Sequence, residues 1–159
     1  MTEISGYASL FWTRDLNDDV TAAGAFSESL ARTGPGGVRM LCQHEADHPV
    51  GIWDEIVEDG RGLFVRGRIL EITPQGRMCA ALVRAGAMDG LSIGFIAGKA
   101  RPDETGRLRV LTRVELWEVS VVTFPMLPGA RIDHVTPLPT GEGGARAQPG
   151  RVRDYALDG

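Results

Sequence analysis

The sequence predicts a mainly β fold, a mostly antiparallel barrel or sandwich of about six or seven strands with two helices. Three observations carry this. Strand-like runs follow one another as hairpins, at 50–59 with 63–70 and again at 91–98 with 108–124. Crossover helices of the kind a parallel sheet requires are few. Glycine, at 21 of 159 residues, is abundant enough for many turns and bulges. A chain of this length suits one domain around one core.

The elements follow in order. Residues 3–12, "EISGYASLFW", read as a first strand, and "DLNDD" as an acidic loop. In "GAFSESLART" (24–33), Phe26, Leu30 and Ala31 fall near helical spacing, and Gly34-Pro-Gly-Gly37 stops the helix. "VRMLCQH" (38–44) alternates as a strand, with Val38, Met40, Cys42 and His44 on one face. Gly60-Arg-Gly62 then turns the hairpin between 50–59 and 63–70. Thr73 before Pro74 is a helix start, with the threonine as N-cap and the proline at the first helical position. Met78, Ala81, Leu82 and Ala85 predict its apolar face, and Gly86 its end. After the Asp89-Gly90 turn come "LSIGFIAG" and "LRVLTRVELWEVSVVTF", both strand-like. The domain is expected to span residues 1–135. Residues 136–159, rich in glycine and proline and without apolar periodicity, read as a flexible tail.

Composition excludes several classes. Apolar residues make up 43% and charged residues 24%, ordinary for a soluble globular protein. The net charge of −4 and few aromatics (6%) argue against a nucleic-acid partner. The first residues lack the basic start and apolar core of a signal peptide, and no apolar run is long enough to span a bilayer, so no membrane partner is expected. Two cysteines without a CxxC pair, Cys42 and Cys79, fit a reducing compartment rather than a disulfide framework.

Candidate chemistry is sparse. "GLSIG" (90–94) sets the Ser92 hydroxyl between two glycines, which suits either an accessible nucleophile or a small residue in a bulged strand. It matches the G-x-S-x-G elbow of α/β-hydrolases literally. That elbow needs a strand before the serine and a helix after it. Here the helix comes first and a glycine-broken strand follows, so the elbow is rejected. His44 ends an apolar strand face, either looking into a cleft or held by a backbone partner. His48 lies in a loop beside Asp47, and these ligands are too few and too irregular for a metal site. Cys42 reads as a small buried residue, since neighbours on one strand face cannot easily form a nucleophile–base pair.

The acidic signal is sharper. Along "LRVLTRVELWEVSVV", alternation groups Leu108, Val110, Val114, Leu116, Glu118, Ser120 and Val122 on one face. Arg109, Arg113 and Glu115 take the other, as solvent prefers. Glu118 is then a carboxylate on an apolar face, costly unless partnered by a strand arginine or by an imidazole N–H. A bulge would exchange the two glutamates.

Taken together, "ISGYASLF", "GAFSESL", "VRMLCQHEADHPVG", "GLFVRGRI", "GLSIGF" and "ELWEVSVVTFPMLPGA", in that order, resemble the tailed-phage prohead maturation proteases. These are capsid-assembly serine proteases related to herpesvirus assemblin. The resemblance covers residues 3–132. It implies an orthogonally packed, mostly antiparallel β-barrel flanked by helices. It also implies a serine endopeptidase with Ser92, His44 and Glu118 as its triad and no cofactor or metal. The assemblins carry a second histidine where this chain has Glu118, and an arginine pair downstream that "FPMLPGA" lacks. The implied substrate is the scaffold protein, or the scaffolding segment of the major capsid protein, cut inside the procapsid in the host cytoplasm. Self-cleavage and activation by dimerisation are implied as well, and a gene transfer agent would use the same protein. The rival reading is a catalytically silent module that binds scaffold or capsid subunits through the same barrel.

Overall fold

The computed structural model describes residues 1–139. Eight strands and two helices alternate as β1 (Thr2–Leu10), β2 (Asp19–Thr21), α1 (Ser27–Thr33), β3 (Arg39–Cys42), β4 (Pro49–Glu58), β5 (Gly62–Ile69), α2 (Pro74–Arg84), β6 (Gly90–Pro102), β7 (Arg109–Val122) and β8 (Ile132–Pro137). All strands belong to one sheet, in the order β2-β7-β3-β4-β5-β1-β8, with β6 on the other edge of β7. The sheet curls into a half-barrel around the core. Its two limbs meet where Gly90 bridges Arg131. There the Leu91 N–H donates to Ala130 at 2.9 Å and the Ile132 N–H to Asp89 at 2.8 Å.

The mainly β architecture matches the expectation. Its departures have local causes. β7 runs parallel to both β2 and β3, which share its second edge. β2 has only three residues, too few for alternation to show, and it closes the segment read as an acidic loop. β8 pairs with β1 as far as Thr2–Pro137, across the boundary expected at 136. The remainder of the expected tail, from 140, lies outside the described residues.

The punctuation residues act as predicted. The Asp59 carboxylate accepts from the Arg61 and Gly62 N–H groups at 2.7 and 3.0 Å, capping the β4–β5 turn. Thr73 caps α2 by accepting from the Gly76 N–H at 3.0 Å. The packed face of α2 differs from the prediction. Gly76, Cys79, Ala80 and Val83 are buried, while Met78 and Leu82 are 56% and 39% exposed. Small residues let the helix lie close to the sheet, so its buried stripe is the one with the smaller side chains. In α1, Phe26 sits at the N-cap and is fully buried, Leu30 packs on the core, and Ala31 is exposed.

Candidate active site

β3 ends at Cys42, with Val38, Met40 and Cys42 buried as alternation predicts. His44 is not the next member of that face. Gln43 and His44 both adopt left-handed backbone, at φ 55° and 60°, and turn the chain toward β7. Non-glycine residues in this region cost of order 1–3 kcal/mol each and persist where surrounding contacts hold them. Four hydrogen bonds from the end of β7 do so. The Gln43 N–H donates to Val121 at 2.9 Å. The Gln43 side-chain amide donates to the Thr123 hydroxyl at 2.6 Å and accepts from the Thr123 N–H at 3.2 Å. The His44 N–H donates to Ser120 Oγ at 3.1 Å.

This turn brings the His44 ring to Glu118. On β7, Ser120 is buried, and the Glu118 side chain beside it is only 13% exposed. Its Oε1 is hydrogen-bonded to His44 Nδ1, and its Oε2 accepts from the Ser120 hydroxyl at 2.6 Å. The imidazole pKa is raised above its ordinary value by the hydrogen bond to Glu118, and partial burial opposes the shift. Of the two partners that the sequence left open for Glu118, the imidazole is the one present. Glu115 is paired instead with Arg32 of α1 and lies 3.8 Å from Arg113. A bulge between Gly94 and Phe95 leaves Trp117 without a partner on β6 and passes the core face from Leu116 to Val119 and Val121. Glu118 therefore does not share a face with Val114 and Leu116 as unbroken alternation predicted. It is still Glu118, not Glu115, that meets His44.

The second glycine of "GLSIG" has a specific reason. Gly94 stands opposite Glu118 in the β6–β7 ladder. A Cβ there would press on Oε1 and lie 2.7 Å from the carboxyl carbon. Gly94→Ala is therefore expected to push the carboxylate away from His44. An NMR titration of the imidazole should find its pKa falling back toward about 6.5, the unperturbed value. An unshifted imidazole in a folded alanine variant would show that the carboxylate does not depend on this gap.

Ser92, on the same strand, faces Ser120 across the ladder and is 5% exposed. Its hydroxyl makes no hydrogen bond among the described residues. It lines a cavity of about 130 Å³ together with His44, Leu91, Phe95, Asp15 from the loop before β2 and Asp19 at the start of β2. Met126 also lines it, and the exposed Leu16 donates its N–H to Met126 at 3.0 Å. The structure thus brings His44 and Glu118 into direct contact and sets Ser92 in the wall of the cavity that His44 also lines. His48 and His134 are exposed elsewhere. Cys42 and Cys79 are free and buried. Two contributors escaped the sequence reading, Ser120 and Gln43. The signal for Ser120 was its place two residues beyond Glu118 on the same strand face.

The model of the caudovirus prohead serine protease family matches residues 1–139. Among curated proteins, the prohead protease of Enterobacteria phage HK97 is 34% identical over 122 residues. That match covers 76% of this chain and 54% of the relative, so the chain spans about half the relative's length. Among solved structures, the bacteriophage T4 capsid assembly protease superposes with a TM-score of 0.59 at 16% identity, covering 76% of this chain and 80% of its own. A Kaposi's sarcoma herpesvirus protease, solved with a hexapeptide phosphonate inhibitor, reaches 0.56 at 12% identity, covering 86% of this chain and 65% of its own. At such identities the two structures share the fold with this chain.

Proposed function

The chain belongs to the caudovirus prohead serine protease family, and on that premise we propose that it is a serine endopeptidase acting in capsid maturation. The observation that carries the reading is the His44–Glu118 pair beside a cavity walled by Ser92, whose hydroxyl has no hydrogen-bonding partner among the described residues. His44 takes the Ser92 proton as the oxygen attacks the scissile carbonyl, and later protonates the leaving amine. Water then hydrolyses the acyl-enzyme with His44 again as base. Glu118 holds the proton on Nδ1, which leaves the Nε2 lone pair for the serine, and stabilises the imidazolium. The serine–histidine hydrogen bond forms when substrate fills the cavity, as catalytic contacts tighten in the complex.

The proposed substrate is the scaffold protein or the scaffolding segment of the major capsid protein, with the chain itself as a second target, inside the assembling procapsid. Among the described residues no helix is long and apolar enough to cross a membrane. Crowding of copies within a procapsid would favour self-association by mass action and so switch the enzyme on.

A fluorophosphonate probe separates this reading from a silent assembly module. Peptide mapping is expected to find the label on Ser92, and replacing His44 by alanine should remove it. A folded protein that takes no label at Ser92 would favour the binding module instead.

A further inference from the structure

We infer that Ser120 is a positioning residue of this site, locking the Glu118 carboxylate and the His44 backbone into one hydrogen-bonded ring. The inference rests on the reading of Ser92, His44 and Glu118 as a catalytic set.

Ser120 is fully buried on β7. Its two contacts fix which way its proton points. A hydroxyl has one proton to donate and two lone pairs to accept with. The His44 N–H at 3.1 Å can only donate, so Ser120 Oγ accepts there. The single hydroxyl proton is then directed to Glu118 Oε2, 2.6 Å away. Glu118 Oε1 completes the ring at His44 Nδ1. Three groups that sit on one strand and a left-handed turn are thereby tied to one another.

The arrangement does two jobs at once. It stops the carboxylate from rotating about its last side-chain bond, so that Oε1 stays on Nδ1 and the proton stays on that nitrogen. It also anchors the left-handed backbone of His44, whose conformation needs external support. The anchor lies directly opposite Ser92 in the β6–β7 ladder. Ser120 thereby links the imidazole to the strand of the serine through a single cross-strand pair.

A bland alternative is that Ser120 merely fills space on the buried face. The two are separable because packing alone would not tune the base. Ser120→Ala removes the proton donor and the acceptor but little volume. It is expected to lower kcat by about 10- to 100-fold, the range for a hydrogen bond to a charged group, with KM within about twofold. The acid limb of kcat/KM should move to lower pH, since a carboxylate free to rotate holds the imidazolium less well. Glu118 is the charged group that sets the raised His44 pKa. Ser120→Thr, which keeps the hydroxyl, is expected to return the acid limb to its wild-type position.

Far-UV circular dichroism and thermal melts establish that each variant is folded. Should the alanine variant not fold, Ser120→Cys keeps most of the volume with only a weak donor and carries the same expectation. Wild-type kcat and an unmoved acid limb in the folded alanine or cysteine variant, beside an inactive Ser92→Ala, overturn the role of Ser120 and leave the catalytic reading intact. An active Ser92→Ala overturns that reading itself.

Discussion

Ser92→Ala is expected to abolish cleavage while leaving the fold and its stability almost unchanged. The hydroxyl has no hydrogen-bond partner among the described residues, so its removal strands no buried donor or acceptor. The residue is small and lies in a strand whose ladder to β7 is made by backbone groups. A melting temperature close to the wild type follows, with a stability change within about 1 kcal/mol. Activity is another matter. Loss of the nucleophile alone costs on the order of 10⁶ in turnover in the best-studied serine proteases. Co-expression with the proposed substrate, a major capsid protein, followed by mass spectrometry of the products, measures the effect. An alanine variant that still processes the capsid protein at a comparable rate means that Ser92 is not the nucleophile.

The parts of the fold that announce themselves locally were legible in the sequence. The β4–β5 hairpin follows from Gly60-Arg-Gly62 between strand-like runs, and the start of α2 from Thr73-Pro74. Both are set by side chains bonding to their own turn. The parallel pairing of β7 with β2 and β3 was not legible, because it joins segments about 80 to 90 residues apart through backbone alone. The buried face of α2 was misread because hydrophobic size was taken as the signal. Close approach to the sheet instead selects Gly76, Cys79 and Ala80.

In the site, Glu118 was singled out by assuming unbroken alternation from Leu116. The bulge at Trp117 instead passes the core face to Val119 and Val121, so the residue was right and the face was not. His44 was found by the right residue type for a partly wrong reason. Alternation would have carried it along β3, whereas the left-handed turn at Gln43 and His44 delivers it. Neither residue is a glycine, so nothing in their types marks that turn. The clamp that holds it comes from Ser120, Val121 and Thr123, far along the chain.

Glu118→Gln and Glu115→Gln, compared in single-turnover cleavage of one capsid-derived peptide, should differ by more than three orders of magnitude. The two residues lie three apart on the same strand and differ in what their charges meet. Glu118 is almost enclosed and spends both oxygens inside the site, one on the imidazole and one on Ser120. Glutamine keeps its length but carries no charge to stabilise the imidazolium. Its amide nitrogen, if turned toward His44, would favour the tautomer with the proton on Nε2, where it blocks the serine. Loss of the orienting acid costs roughly 10⁴ in turnover in the best-studied triad. Glu115 instead pairs with Arg32, itself half exposed, and lies near Arg113. Exposed pairs of this kind contribute about 0–1 kcal/mol to stability and are screened by salt. None of that contribution is aimed at the reacting atoms. Glu115→Gln should therefore change the rate by less than about threefold, within the ordinary range of surface substitutions. A crippled Glu115→Gln beside an active Glu118→Gln would mean that the strand is out of register in the working enzyme, and that the third member of the triad is misassigned.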